Sequence, residues 1–203
     1  MASVSSDDGT LPAGDFSTWL AGMEAALRGE ADADVPCGTC TACCRSSQFV
    51  HIAPEERDAL AHIPSELLFP APGRPGHHLL GYDERGHCPM LGDEGCTIYA
   101  HRPRACRTYD CRVLSGAGLV PDEPDKTPIA ERVARWRFTF PSEEDRRQHD
   151  AVRAAATALC DELANVTQRA VAAIAIHDLF VDRATPPDPD AVRLELRRRT
   201  VDR

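Results

Sequence analysis

The chain is poor in aromatic residues, 5% of 203, and no segment approaches the ~20 consecutive apolar residues that a membrane span requires. Its first residues, Met1-Ala-Ser-Val-Ser-Ser-Asp-Asp8, lack the basic region followed by an apolar stretch that marks a secretory signal. These absences predict a cytoplasmic protein with no membrane partner, in a compartment where thiols stay reduced. No internal repeat is visible. Basic residues are in deficit, 23 against 32 acidic ones, and the net charge of −9 disfavours non-specific binding to nucleic acid. A hydrophobic content of 42% still permits a core, and the length suits one domain, or one domain with an extension.

What the chain does have is cysteine, nine in all. Four lie in Cys37-Gly-Thr-Cys40-Thr-Ala-Cys43-Cys44, and Cys88, Cys96, Cys106 and Cys111 follow. In a reducing compartment such density points to metal rather than to disulfides. The C-x2-C-x2-C rhythm lets successive turns of backbone direct sulfurs at one centre. Cys43 and Cys44 are adjacent, and adjacent side chains diverge, so one of them is expected to serve a second metal, to bridge, or to stand apart. The cysteine-rich stretch has few long apolar runs, so metal is expected to supply much of its folding free energy. Arg102, Arg104, Arg107 and Arg112 surround a single Asp110. Thiolate sites keep a charge of about −2, and these guanidinium groups are suited to compensate it. His87 and His101 stand beside the motif, where eight thiols make imidazole ligands unnecessary. Cys160 lies outside it and is expected to be a buried thiol packing as a small apolar group.

The periodicities predict an α+β fold: a small, irregular, cysteine-rich core with a short antiparallel β-meander, flanked by N-terminal and C-terminal helices. Residues 1–14 are expected to be disordered. Residues 15–34 read as an amphipathic helix and linker, with Asp15 as N-cap, Phe16, Trp19, Leu20, Met23 and Leu27 on one face and Gly29 as the stop. Residues 35–115 form the metal-binding domain. Within it Gln48–Ile52 suits a strand, Pro54 opens a helix to about Leu60, and Glu55 and Glu56 favour its dipole. The proline-rich stretch 64–76 reads as a loop, and 77–82, 87–91 and 96–99 as the meander. Residues 116–182 form a helical extension. Thr127-Pro128 opens a helix carrying Ile129, Val133 and Trp136, and Ser142-Glu-Glu-Asp145 resembles a capping box. The helical pattern from there to about Phe180 would span roughly 55 Å if continuous, which implies a kink, a protruding end or a homodimer contact. Residues 183–203 are expected to form a mobile tail.

The combination Cys37-x2-Cys40-x2-Cys43-Cys44, Val50-His-Ile-Ala-Pro-Glu-Glu, Cys88-Pro-Met-Leu, Cys96-Thr-Ile-Tyr, Arg102-Pro103 and Cys106-Arg107 resembles the YkgJ-like cysteine-cluster family of zinc- or iron-chelating domains. The likeness covers roughly residues 35–113 and implies metal binding at the matched cysteines. A related pattern in flagellin lysine methylases implies that some relatives are enzymes with an iron–sulfur cluster. The glycines of Ser115-Gly-Ala-Gly118, however, follow no convincing strand and read as a loop rather than a methyl-donor turn.

Three functional readings follow. The first is a metal-binding protein that uses Cys37, Cys40, Cys43, Cys44, Cys88, Cys96, Cys106 and Cys111, its cofactor iron as an iron–sulfur cluster, or Zn²⁺. Cys37, Cys40 and Cys43 look like the start of a ferredoxin-type run, and the later spacings of x7, x9 and x4 depart from zinc ribbons, which tilts the balance to iron. The second is an iron–sulfur-dependent redox or methyl-transfer enzyme. The third is a zinc-dependent partner- or nucleic-acid-binding module that uses the arginines.

Overall fold

Phe16, Trp19, Leu20 and Met23 recur every three or four residues, and the first helix, α1 (Phe16–Arg28), buries all four. Each such side chain removed from water contributes roughly 1.5–3 kcal/mol, so this face is the natural seat of a core. Gly29 closes the helix in the left-handed region, at φ 81°, which glycine adopts without a Cβ clash. This computed structural model describes residues 9–33, 35, 39–183 and 185–201.

The described chain forms two compact units. The helical unit comprises the described residues up to 31, residues 110–121 and those from 131 onward. Its core is α1 with α6 (Glu143–Ala158) and α7 (Val166–Ile176), joined by the short α4 (Arg112–Gly116) and by α8 (Pro189–Val201). A parallel two-stranded ribbon, β1 (Leu11–Asp15) with β7 (Trp136–Thr139), completes it, β7 following directly in sequence on α5 (Thr127–Arg135), the helix opened by Thr127-Pro128. The other unit, residues 32–109 with 122–130, holds the cysteine motif. There β2 (Val50–Ile52), β4 (His78–Leu80) and β3 (Leu68–Pro70) form an antiparallel sheet in the order β2-β4-β3. A tight hairpin of β5 (Leu91–Gly92) and β6 (Gly95–Cys96) and two short helices, α2 (Arg57–His62) and α3 (Arg104–Thr108), accompany it. Ile52, Ala59, Ile63, Leu80, Met90 and Ile98 are its core, and Cys88 and Cys96 pack against them. The fold is α+β, with small antiparallel sheets and helices at both ends of the chain.

Asp145 ties the helical unit together. Its carboxylate accepts from the backbone N–H and hydroxyl of Ser17 at 2.8 and 2.7 Å and from the Ser142 N–H at 2.9 Å, while Ser142 Oγ accepts from the Asp145 N–H. One side chain thus completes the capping box of α6 and satisfies an N–H in the first turn of α1. The hydroxyl of Ser142, followed by Ser17, holds this carboxyl well below the usual carboxylate range. Asp15, expected to cap α1, occupies the cap position without a capping bond and instead accepts from the Thr139 hydroxyl.

Several expectations are corrected. Residues 11–14 are not disordered: main-chain pairing with β7 orders them, and only Ala13 of that strand is buried, so the sequence carries no alternation to announce it. Residues 1–8 lie outside the described residues. The helix after Pro54 begins later, at Arg57, after a turn in which the Glu56 carboxylate accepts from the Ala53 N–H at 2.8 Å. The proline-rich stretch 64–76 contains β3, where Pro70 closes the strand. The meander is replaced by the β2-β4-β3 sheet and a separate β5-β6 hairpin. Ser115 and Gly116 close α4 instead of a loop, and a Cβ on Gly116 would sit 2.9 Å from the Trp19 ring, so glycine serves close packing there. The long helical pattern breaks between Leu159 and Asn165, whose side chain caps α7 through the Gln168 N–H at 2.9 Å. The two halves pack together as α6 and α7, which removes the 55 Å rod. The tail includes α8, held by Arg199, which pairs with Asp178 at 2.6 Å and with Glu195 at 2.6 Å.

Candidate metal centre

Four separate pieces of local structure deliver the cysteines of unit 32–109 to one place. Cys43 and Cys44 ride on a single 3-10 turn, Cys43–Arg45, with Cys40 in the loop before it. The carbonyl of Cys44 accepts from the Cys88 N–H at 2.7 Å, and the Ser47 N–H donates to the Gly86 carbonyl at 2.9 Å, so the loop after β4 is laced to the cysteine turn. Gly86 permits this approach: at φ 78° a Cβ would stand 2.4 Å from Ser47 Oγ. Lys126 Nζ donates to the carbonyls of Ser46 and Ser47 at 2.7 and 2.9 Å, fixing the far side of the turn. The β5-β6 hairpin brings Cys96 opposite Leu91, whose N–H bonds the Cys88 carbonyl. α3 presents Cys106, its first turn anchored where Glu56 accepts from the Arg104 N–H.

The result is a cavity of about 350 Å³ lined by Cys40, Cys43, Cys44, Cys88, Cys96 and Cys106. Val50, Leu80, Met90 and Ile98 form its apolar wall, and Phe49, Tyr99 and Tyr109 also face it. Cys37 lies outside the described residues. Cys43 and Cys44, expected to diverge, both line the cavity from the one 3-10 turn. Cys111 is not among the lining residues. It is buried in the helical unit, where its sulfur accepts from Trp136 Nε1 at 3.1 Å. Cys160, expected to be a buried thiol, instead lies exposed in the turn after α6.

Burial pushes the Cys106 thiol up to about 12, helped by Cys88, Cys44 and Cys96 and opposed by Arg102. Burial likewise lifts Cys44 to about 11, with Cys88, Cys96 and Cys40 adding to it and Arg102 again opposing. Cys88 is raised by burial as well. Thiols that raise one another's pKa are close enough to feel each other's charge, which only a cation among them would turn to advantage. Among the described residues no cysteine belongs to a set of three metal-donor atoms lying within 4.8 Å of one another. With Zn–S bonds of about 2.3 Å, a lone tetrahedral ion would need its sulfurs roughly 3.8 Å apart. The described thiols therefore line the cavity without three of them gathered at that spacing.

The four arginines have divided roles. Arg102 lines the cavity, stacked over the Tyr99 ring at 3.6 Å with its Nε donating to the Tyr99 carbonyl at 2.8 Å. Arg107 donates to the Arg102 carbonyl at 2.8 Å and pairs with Asp32 at 3.3 Å. Arg112 lies buried in the helical unit, paired with Asp110 at 2.8 Å, and Asp110 also accepts from Trp19 Nε1 at 2.8 Å. Arg104 is exposed. Apolar and aromatic wall residues such as Phe49, Leu80 and Ile98 carried no functional signal in the sequence, since their spacing matches ordinary strand packing.

Residues 36–133 match the model of the family CxxCxxCC, described as a putative zinc- or iron-chelating domain. Neither a curated protein nor a solved structure matches the chain.

Proposed function

Because residues 36–133 match the model of the CxxCxxCC family, described as a putative zinc- or iron-chelating domain, we propose that the cysteine-lined cavity holds the protein's metal, as an iron–sulfur cluster. Cys40, Cys43, Cys44, Cys88, Cys96 and Cys106 are the thiols available to it, with Cys37 a further donor by sequence. An all-thiol donor set suits soft or borderline metals and iron–sulfur clusters. The observation that supports the cluster over a single zinc ion is that the described thiols line a cavity of about 350 Å³ with no three of them within 4.8 Å of one another, since a group of several irons and sulfides needs its ligands farther apart than one ion does. Bound there, the cluster would supply one-electron redox chemistry. The chain's own residues hold it, keep water back with Leu80, Met90 and Ile98, and set one positive charge, Arg102, against the thiolates. Cys111 takes no part in this reading, being packed against Trp136.

Purification without oxygen, followed by metal analysis and an optical spectrum, tests the proposal. The expected result is a brown protein with stoichiometric iron and visible absorption that bleaches on reduction. A colourless protein with zinc alone would overturn the cluster and leave a zinc thiolate site, whereas a metal-free chain would overturn both.

A further inference from the structure

Asp58 and His62 stand one turn apart on α2, and His101 ends the 3-10 turn Tyr99–His101. The two imidazoles stack face to face, their centroids 3.5 Å apart and their planes 6° from parallel. Both turn Nδ1 toward one residue: Asp58 Oδ2 lies 2.9 Å from His101 Nδ1, and Oδ1 lies 3.7 Å from that of His62. One donor atom from each of the three side chains lies within 4.8 Å of the other two. Asp58 and His62 are exposed, His101 is half-buried, and none of the three lines the cysteine cavity. We propose that Asp58, His62 and His101 form a second metal site, for an exchangeable borderline divalent cation such as Zn²⁺ or Ni²⁺.

Two imidazoles and a carboxylate are a donor set that such ions prefer and that Mg²⁺, which favours oxygen ligands and keeps its water, does not. The site differs in kind from the thiol cavity. An arriving ion competes with two hydrogen bonds, from His62 Nδ1 to the Asp58 carbonyl at 2.8 Å and between His101 Nδ1 and the Asp58 carboxylate. Where Nδ1 donates in these bonds, the ring must also move that hydrogen to Nε2 before Nδ1 can ligate. Both costs make binding weaker than at thiolates, and solvent access makes exchange fast. The positive charge of Arg107, which acts on Asp58 less than His101 and His62 do, is itself paired with Asp32 at 3.3 Å.

The test is titration of the intact, anaerobically purified chain with Ni²⁺, read by NMR of the imidazole protons and by metal analysis. Paramagnetic broadening should appear first at His62 and His101, at about one added Ni²⁺ per chain, with His149 untouched and Mg²⁺ without effect. His62→Ala and Asp58→Asn should each weaken binding at least tenfold, because loss of a direct ligand exceeds the roughly 10- to 100-fold cost seen for outer-shell partners. The metal that the chain carries from purification should stay the same in both variants. Equal broadening in wild type and His62→Ala, broadening that begins elsewhere, or displacement of Ni²⁺ by equimolar Mg²⁺ would each overturn the second site. The resident metal is measured in the same samples, so these outcomes stand apart from the fate of the cysteine centre.

Discussion

Among the cysteines, position in the fold separates expected ligands from packing groups. Replacing Cys44, Cys88 or Cys106 by Ser exchanges a soft thiolate for a weakly acidic hydroxyl at the cavity wall, so metal content should fall sharply. Cys111→Ser should keep its metal and cost about 1–3 kcal/mol from a buried polar group beside Trp136. The exposed Cys160→Ser should keep metal too and stay within about 0.5 kcal/mol. Metal analysis and thermal melts of the five variants check this. The raised thiols add a pH dependence. In the metal-free chain the folded state binds protons at Cys44 and Cys106 more tightly than the unfolded chain does, up to about 11 and about 12. Their contribution to stability is therefore complete below the unfolded thiol range, near pH 9, and is lost as pH rises toward 11 and 12. Melting of the metal-free chain followed between pH 8 and 11 should show that decline, which Cys44→Ser should lessen. With metal present the direction reverses, because an ion must displace those protons: apparent affinity should climb with pH, by roughly tenfold per unit for each proton released.

Asp145 is the residue through which one helix is fastened to another. Its carboxyl sits below the usual range, so its contribution is present above the unfolded carboxylate pKa and is lost as pH falls below about 4. Asp145→Asn should lower the melting temperature at neutral pH and flatten the acid limb of the stability profile; an unchanged acid limb would assign that limb to other carboxylates. Elements like this one were legible to different degrees. The α1 stripe and the Ser142 capping box could be read because they are local: spacing and side-chain chemistry lie within one turn. The β1-β7 ribbon was not, since a parallel pairing between residues 11–15 and 136–139 depends on main-chain bonds and leaves only Ala13 of β1 buried. The break after Leu159 was hidden by Leu163 and Val166, which continue the apolar rhythm into the next helix. At the candidate site, the motif announced which cysteines to consider. It could not tell that Cys111, five residues after Cys106, turns away to pack with Trp136, or that Asp58, so far from His101 in sequence, meets it across a hydrogen bond.

For the molecule as a whole, the two units differ in what holds them. The helical unit buries Phe16, Leu20, Val152, Leu159 and Ile174 completely or nearly so, a core that stands without help from metal. The unit of residues 32–109 and 122–130 has a small core, Ile52, Leu80 and their neighbours, beside a cavity ringed by raised thiols. Chelation should therefore release amide protection in α2, α3 and the β2-β4-β3 sheet while α1, α6 and α7 keep theirs, as measured by hydrogen exchange. Uniform protection in both units after metal removal would show that metal is not what stabilises the cysteine unit. The central claim is that the thiols round the cavity hold the metal, and X-ray absorption at the edge of the bound metal tests it most directly. The account predicts a first shell of sulfur at about 2.3 Å. A first shell dominated by nitrogen or oxygen at about 2.0–2.2 Å would contradict it.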